Sequence, residues 1–473
     1  MKKDNLVRFP ATKITERWTT KDADHFVEKY GEILFIKDGI PKDKDGIPKD
    51  VVADEAIWAD QLCRWGPVKW HDGQFIAWTG THFAPALGLI RPFLQTVLVM
   101  KKIKGSSRII EAIIKALDQK LNPLAPHDRS PWASTRGIPF SNGFYNLHTK
   151  ELEAHDPKNG NTWVSPVAWR ELDDIPDDDR KAVDAYFNST FADNSAKAAA
   201  VLSFIGYSLS PDTDYEKALF LVGRGRNGKG VLLALVAGIL GEAARSIDLV
   251  ELSDDRFASA EIAGKQAALV YDLGRASLGG NTGVFKRMTS FEPIPAQRKH
   301  RDPFEFRNTA KLMVATNDLP HSRDVSAGFF ARLLLVPFSQ TFLGHEDGGL
   351  KQRLTSPAAL SYIARMAIIA YEEARNAGHL PELPEGKAAI LEYQNGLDVI
   401  SAALSEDGCF ERDDNAKIPV SEAYGAFQEW AAASGIAKPP AKPSFTKKMA
   451  DAGIIHDRNN KTRYLGLKLR RNS

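Results

Sequence analysis

Cysteine is scarce in this 473-residue sequence, which contains only Cys63 and Cys409. Two cysteines so far apart support neither a disulfide framework nor a cysteine zinc site, which fits a reducing cytoplasm. The sequence also lacks an apolar run of about 18 residues or more, which argues against a membrane span. Its basic N-terminus lacks the apolar stretch of a secretory signal. We therefore expect a cytoplasmic protein.

The sequence also lacks a large excess of positive or negative charge, but the charged residues are unevenly distributed along it. The net charge is +2, yet residues 437–473 hold ten Lys or Arg against two Asp, and residues 171–179 hold six carboxylates and no base. A basic tail commonly contacts nucleic acid, and a solvated tail is the equally weighted alternative. The length suggests two to four domains.

Changes in composition along the chain predict four regions. Residues 1–50, which repeat the hexapeptide DGIPKD, predict a flexible N-terminal arm. Residues 51–180 predict a separate α+β domain whose tryptophans are buried anchors or, less often, stacking platforms for bases. Residues 181–378 alternate strands with helices. Residues 387–473 predict a small C-terminal unit of three helices and a basic strand pair at 454–469.

The alternation in residues 181–378 predicts the α/β class, with a mainly parallel sheet and crossover helices. Four apolar runs have the length of strands buried on both faces: 218–222, 267–271, 312–316 and 333–338. Helical patterns accompany these strands at 231–240, 282–290 and 357–377. Further helices are expected at 387–404, 420–433 and 444–452.

The strongest local pattern is GRGRNGKG, which fits the phosphate-loop pattern GxxxxGK between a strand and a helix. Backbone N–H groups of such a loop wrap phosphates, and the helix N-terminus adds partial positive charge. A glycine-rich structural turn is the alternative. Gly230 stands where Ser or Thr normally ligates magnesium, so water or another residue must fill that position, or metal binding is weaker. The candidate nucleotide-binding residues are Gly223, Gly225, Asn227, Gly228, Lys229 and Gly230.

Three other strands carry polar candidates at their ends. Asp272 follows one apolar run and could hold magnesium or the attacking water, or merely end a strand. Asn317 follows another and could bond the γ-phosphate or position water, or act as a turn former before proline. Arg332 precedes the last strand and could be an arginine finger, or an ordinary surface arginine.

Residues 293–306 alternate on either side of a basic tip and predict a β-hairpin. The hairpin would present Arg298, Lys299 and His300 to phosphates. A solvated charged tip is the alternative.

Taken in order, these elements resemble the superfamily 3 helicases of phages, plasmids and small DNA viruses. The segments that carry the resemblance are GRGRNGKG, ALVYD, PIPAQRKHRDPFEF, KLMVATNDLP and GFFARLLLVPF. The resemblance is closest to the primase-associated phage and plasmid branch, which includes the poxvirus helicase-primase. Residues 138–143 and 155–157 are similar to the domain that precedes the helicase in this branch. The C-terminal end, with Tyr424, Phe427 and Trp430 at helical spacing, is similar to its winged helix.

The resemblance implies an AAA+-like ATPase core that uses ATP and Mg²⁺ and forms a ring, usually a hexamer, moving 3′ to 5′ on single-stranded DNA. Lys229 would bind phosphate, Asp272 would hold magnesium or water, and Asn317 would sense the γ-phosphate. Arg332 would reach the ATP of a neighbouring subunit. The residues expected to contact DNA are Arg298, Lys299 and His300 in the hairpin and Lys447, Lys448 and Arg463 in the winged helix.

The leading hypothesis is therefore a replicative DNA helicase of a phage or mobile element, acting in the cytoplasm of a bacterial host. Only about 50 residues precede the helicase-associated domain, so we expect no primase activity, and a separate primase or polymerase is a candidate partner. An ATP-controlled replication initiator or loader with little unwinding activity is the main alternative. A metabolic kinase is a third hypothesis, which the hairpin and the winged helix disfavour.

Overall fold

The structure is a computed structural model, which describes a defined part of the chain. The described residues are 23–29, 55–65, 67–72, 74–100, 106–121, 136–249, 256–273, 283–299, 303–319, 326–345, 347–404, 408–434, 439–456 and 463–470. Among these, no helix is long and apolar enough to cross a membrane.

The predicted flexible arm, residues 1–50, lies outside the described residues apart from 23–29. That segment is helical, and its Phe26 is fully buried. The Phe26 ring lies edge-on to Trp65 at 5.3 Å and to Phe93 at 5.2 Å between centroids. Flexibility is therefore the wrong expectation for 23–29, because an aromatic side chain anchors this segment in a core.

The N-terminal α+β region has a core of its own. Its helices are α1 (Glu55–Trp65), α2 (Leu87–Met100) and α3 (Ser106–Leu121), and its strands are β1 (Val68–His71), β2 (Gln74–Trp78) and β3 (Phe83–Pro85). The three strands form an antiparallel sheet in the order β1-β2-β3. Trp58 and Trp78 are almost completely buried, so these tryptophans are core anchors and not stacking platforms.

A second small antiparallel sheet follows, made of β4 (Gly137–Phe140), β5 (Gly143–Asn146) and β6 (Leu152–Glu153). Its buried side chains, with Trp163 and Trp169, share one hydrophobic core with residues 183–383. Among the described residues, the N-terminal hydrophobic core ends at Leu121 and the central core begins at Ile138, so the two cores do not meet at the acidic stretch 171–180. The four domain boundaries stay a prediction.

The central unit is built on a five-stranded parallel sheet, which confirms the predicted parallel arrangement and adds the strand Ala244–Ser246 to the four predicted. Its strands are β7 (Ala218–Val222), β8 (Ala244–Ser246), β9 (Ala267–Val270), β12 (Lys311–Thr316) and β13 (Leu333–Pro337), in the order β13-β7-β12-β9-β8. A separate antiparallel hairpin consists of β10 (Pro293–Gln297) and β11 (Pro303–Arg307). Hydrophobic cores cover both faces of the sheet, because each apolar strand points side chains to either side.

Helices surround this sheet. They are α4 (Asp177–Thr190), α5 (Ala196–Leu209), α6 (Lys229–Leu240), α7 (Arg256–Ile262), α8 (Gly283–Thr289), α9 (Ala327–Phe330), α10 (Leu350–Leu354) and α11 (Pro357–Ala377). The bounds of α11 match the prediction because both ends carry local signals. Ser356 caps its N-terminus by accepting from the Ala359 N–H at 3.0 Å, and Gly378 ends it at φ 78°.

The C-terminal unit contains α12 (Pro384–Ala403), β14 (Phe410–Pro419), α13 (Val420–Ala433), α14 (Lys442–Asp451) and β15 (Arg463–Leu469). The predicted strand pair at 454–469 is wrong. β15 pairs antiparallel with β14, and His456 makes only an isolated bridge to Tyr464. The winged-helix assignment stays a prediction.

Lys311 is a buried charge-bearing residue at the start of β12, 3% exposed. Its Nζ donates to the Ser210 carbonyl at 2.5 Å and lies 4.8 Å from the centre of the Tyr207 ring. Burial lowers the pKa of Lys311 to about 7, although the carboxylates of Asp212 and Asp214 oppose this shift. The fold therefore disfavours the charged form of this lysine.

The lowered pKa of Lys311 predicts a pH dependence of stability. The unfolded chain keeps this proton up to about pH 10.4, whereas the folded chain releases it near pH 7. The free energy of unfolding should therefore rise between about pH 7 and pH 10, by up to about 1.4 kcal/mol per pH unit. Lys311→Met should remove this part of the slope in denaturant titrations, while exposed Lys351→Met should retain it. An unchanged slope in Lys311→Met would contradict the assignment.

Candidate nucleotide-binding site

The phosphate-loop sequence lies where β7 ends and α6 begins. The strand register places Val222 opposite both Thr316 of β12 and Pro337 of β13. The Gly223 N–H donates to the Thr316 carbonyl at 3.1 Å, and the Phe338 N–H donates to the Val222 carbonyl at 2.7 Å. The start of the loop is therefore fixed by both neighbouring strands.

At two positions of this loop the backbone requires glycine, one because of its dihedral angle and one because of a close contact. Gly228 has φ 91° at the N-terminus of α6, where L-residues are strained. A Cβ at Gly223 would lie 2.4 Å from the Phe338 carbonyl oxygen, so only glycine allows this approach. The loop backbone has the turn at a helix N-terminus that binds phosphates in other proteins.

The buried side chain of Asn227 stabilises the loop through hydrogen bonds. Its side chain is 2% exposed, and its Nδ2 donates to the Arg224 carbonyl at 3.1 Å and the Phe338 carbonyl at 3.4 Å. Its Oδ1 accepts from Lys229 Nζ at 3.0 Å, and the same ammonium donates to the Gly223 carbonyl. Asn227 thus holds both the loop and the lysine that is predicted to bind phosphate.

The Lys229 ammonium is mostly enclosed. Burial lowers the pKa of Lys229 from its ordinary value, and the charge of Asp272 partly offsets this effect. Lys229 begins α6 directly after the loop and Asp272 follows β9, so the parallel strands place the ammonium and the carboxylate at the same edge of the sheet.

Asp272 does not follow a strand adjacent to β7. It lies just beyond β9, and β12 stands between β9 and β7. Asn317 is exposed beyond β12, where the Thr316 hydroxyl donates to the Asp318 carbonyl at 2.5 Å and closes the turn. The structure therefore brings the phosphate loop, Asp272 and Asn317 to the same edge, with Asn317 on the nearer strand.

Sequence reasoning missed the support that α4 gives to the loop. The Tyr186 hydroxyl donates to the Gly228 carbonyl at 3.2 Å, and Thr190 lies against Gly228. Burial raises the pKa of the Tyr186 phenol far above its usual range, so it stays a hydrogen-bond donor. Nothing in the local sequence of α4 marks this contact, which connects residues more than 30 positions apart.

Arg332 lies at the other end of the sheet. Its carbonyl accepts from the Ala218 N–H at 2.8 Å, where β7 begins. The five residues of β7 span about 16 Å, which an arginine side chain does not bridge. The guanidinium instead donates to the Gly328 carbonyl at 2.6 Å and to Glu216 at 3.1 Å. The structure therefore does not bring Arg332 to Lys229 of the same chain.

The predicted hairpin is present, but its first basic residue is engaged. The Arg298 guanidinium lies 4.3 Å from the centre of the Phe304 ring and donates to the Asp72 carbonyl in the β1–β2 turn. Lys299 is exposed, whereas His300 lies outside the described residues. Arg298 therefore joins the hairpin to the N-terminal sheet. Of the predicted tip residues that the structure describes, Lys299 is the exposed one.

The C-terminal basic residues are placed differently from one another. Lys447 is exposed and forms an ion pair with Asp318 at 3.3 Å, next to Asn317. Lys448 is partly buried on α14, which lowers its pKa. Arg463 is exposed at the start of β15. One predicted DNA contact thus lies beside the candidate nucleotide site.

The side chains available to hold Mg²⁺ differ from those of a usual phosphate loop. Gly230 carries no hydroxyl, and apart from its own helix backbone and its two chain neighbours nothing lies within 4 Å of the position its Cβ would take. The described residues contain no group of three His, Cys, Asp or Glu side chains that could hold a metal. The phosphate loop therefore offers no side-chain oxygen at position 230 to bind the metal. Asp272 remains the candidate carboxylate ligand.

These features define an α/β protein with a phosphate-loop-like core. Two family models match parts of the chain: "D5 N terminal like" over residues 68–195 and "Family of unknown function (DUF5906)" over residues 221–332. The second match runs from the end of β7 to Arg332, so it includes the candidate site.

Two curated viral relatives are similar to the chain. "Putative helicase L207/L206" of Acanthamoeba polyphaga mimivirus is 27% identical over 222 residues, which are 46% of this chain and 23% of the relative. "Putative helicase 022R" of Frog virus 3 is 25% identical over 280 residues, which are 53% of this chain and 28% of the relative. The chain thus spans about a quarter of the length of these relatives.

Among solved structures, the C-terminal region of NrS-1 matches with a TM-score of 0.46 and 11% identity, over 88% of this chain and 100% of that one. A second structure of that region gives 0.44 at 12% identity, over 86% and 89%. The family and relative matches confirm the resemblance drawn from the motifs. Over the matched regions the chain is similar to the superfamily 3 type helicase-primase proteins of phages and viruses.

The role of Asn227 is open to a direct test. Asn227→Ala removes the bonds from its amide to Arg224 and Phe338 and one of the two bonds that position Lys229, so nucleotide affinity should fall by about 10-fold or more. Binding of a fluorescent ATP analogue measures this loss. Gln428→Ala, an exposed amide on α13, is the matched control. Unchanged affinity in Asn227→Ala would show that the loop holds its shape without this side chain.

Proposed function

We propose that this chain is an ATP-dependent DNA helicase that assembles into a ring, most simply a hexamer, and moves 3′ to 5′ on single-stranded DNA. Homologues named as helicases support a viral-type replication protein with nucleoside triphosphate use. The observation that carries the proposal is the separation of Arg332 from the phosphate loop by the length of the sheet. An arginine so placed can serve an ATP only in another subunit.

In the proposed site, Lys229 and the loop N–H groups bind the phosphates of ATP. Asp272 positions the attacking water, and Asn317 bonds the γ-phosphate from the adjacent strand end. Asp272 would also be the residue that holds Mg²⁺, since Gly230 offers no hydroxyl, and the ion would supply positive charge to the phosphates. Arg332 of the next subunit completes the site by stabilising charge on the transferred phosphoryl group.

DNA is proposed to run past the β10–β11 hairpin, where Lys299 contacts phosphates as a point charge. His300 is proposed to act beside it. The C-terminal unit, as a winged helix, would bind DNA through Lys447, Lys448 and Arg463. The place of action is the host cytoplasm, in keeping with the two unpaired cysteines, and a separate primase or polymerase would supply primers.

The shared site predicts complementation between two inactive variants. Lys229→Ala and Arg332→Ala should each lower DNA-stimulated ATP hydrolysis about 10³-fold or more. Mixed rings of the two should recover part of the activity, because some interfaces pair an intact loop with an intact arginine. Steady-state ATPase assays on stoichiometric mixtures measure this recovery.

Glu216→Ala is the matched control for the arginine. It removes the ion-pair partner of Arg332 but leaves the guanidinium in place, so it should retain most of the ATPase activity. A loss in Glu216→Ala as large as that in Arg332→Ala, with no recovery on mixing, would reduce Arg332 to a structural role.

The hairpin predicts a separation of hydrolysis from unwinding. Lys299→Ala should keep DNA-stimulated ATPase activity within about threefold while lowering strand displacement about 10-fold or more, because one phosphate contact is lost at each step. Exposed Lys351→Ala serves as the charge control. Equal losses of hydrolysis and unwinding would place Lys299 outside the translocation contact.

An ATP-controlled initiator or loader is the second candidate. The contact between Lys447 and Asp318 favours it, because a DNA-binding unit there would respond to the nucleotide site without translocation. Strand displacement on a forked substrate distinguishes the two. ATP-dependent DNA binding without displacement would establish the loader.

A further inference from the structure

We infer that Arg224 and Arg226, two arginines within the phosphate loop, neutralise the triphosphate in place of a loop-bound metal, so that nucleotide binding is largely independent of Mg²⁺. The inference rests on the proposed function only in requiring that this loop bind a nucleoside triphosphate. It concerns binding, and leaves the roles in hydrolysis as proposed above.

The first observation is the missing metal ligand. Gly230 is the second residue of α6, where a hydroxyl would face the phosphates, and the space around its would-be Cβ is open for 4 Å. No neighbouring side chain fills that place. A phosphate loop that lacks this ligand loses a direct contact to the metal and needs another source of positive charge.

The second observation is the loop's own charge. Arg224 and Arg226 flank Gly225, and all three residues are exposed. A Cβ at Gly225 would meet no atom within 4 Å, so the loop is open on this side. Guanidinium groups stay charged at every physiological pH and pair with phosphate oxygens through two parallel hydrogen bonds.

The third observation is that the backbone carrying both arginines is fixed. The Arg224 carbonyl accepts from Asn227 Nδ2 at 3.1 Å, and the Arg226 carbonyl accepts from the Phe342 N–H at 2.9 Å. Arg226 also has φ 57°, a left-handed conformation that is strained for a non-glycine residue. The loop therefore holds an arginine where glycine would be less strained.

Together with Lys229, the loop presents three cations on six consecutive residues. The partial positive charge of the α6 N-terminus adds to them. Such a set can offset most of the charge of a triphosphate without a divalent ion. The absence of a hydroxyl at position 230 and the presence of two arginines are thus complementary features of one loop.

The test measures the affinity of the full chain for a fluorescent, non-hydrolysable ATP analogue, with Mg²⁺ and with EDTA. The two affinities should agree within about threefold. Gly230→Ser restores the hydroxyl in open space and should make Mg²⁺ raise the affinity about 10-fold or more. Gly230→Ala adds the same Cβ without the hydroxyl and should leave the chain independent of Mg²⁺.

The arginines are tested in EDTA. Arg224→Ala and Arg226→Ala should each weaken binding about 10- to 100-fold, as expected for a lost charge-assisted bond. Exposed Lys351→Ala should have no effect. Thermal melting of each variant checks that the fold is retained, and Arg224→Lys should recover part of the affinity if charge is what matters.

Several results would overturn the inference. Binding of the unaltered chain that disappears in EDTA would show that the metal is needed, while leaving the helicase proposal intact. Arginine variants that lose affinity for single-stranded DNA but not for nucleotide would assign these side chains to DNA. Binding without Mg²⁺ in a chain that fails to displace strands would sustain the inference and overturn the helicase proposal.

Discussion

The hydrogen bonding of β7 to both of its neighbours is the constraint on which the site depends. The ladder continues past the strand ends, from Gly223 to Thr316 and from Phe338 to Val222. Asn227 then joins the loop to Phe338 a second time. The loop therefore has little freedom to rearrange, and a ligand that binds it would meet a preformed set of donors, which lowers the entropy cost of binding.

The same parallel sheet keeps Arg332 away from the phosphate loop of its own chain. All five strands point in one direction, so groups after the strands and groups before them lie at opposite edges. Lys229, Asp272 and Asn317 lie at one edge, and Arg332 at the other. Flexing a loop does not overcome a separation set by strand length. If Arg332 takes part in hydrolysis, as proposed, the chain must meet a second copy edge to edge, and assembly becomes a condition of activity.

Local sequence signals sufficed for the parts of the fold that depend on neighbouring residues. The strand 218–222, the loop after it and helix 357–377 were predictable because apolar runs, glycines and caps mark them directly. β14 was not, since FERDDNAKIP has neither an apolar run nor alternation. The position of β12 between β7 and β9 depends on packing of distant segments. Tyr186 and the anchoring of Arg298 on Asp72 were invisible for the same reason, because each joins separate regions of the chain.

These contacts between regions differ in strength, and the difference indicates which parts can move. Tyr186 is buried against the loop carbonyl, so α4 and the phosphate loop should move as one body. Arg298 packs on Phe304 of its own hairpin, and its bond to the Asp72 carbonyl holds the hairpin to the β1–β2 turn. The pair of Lys447 and Asp318 is 60% and 75% exposed, and such pairs contribute about 0–1 kcal/mol. A DNA phosphate could therefore replace Asp318 as the partner of Lys447 at little cost. That exchange would remove the ion pair between α14 and the turn that carries Asn317, while the bond from the Thr316 hydroxyl to the Asp318 carbonyl would keep the turn closed.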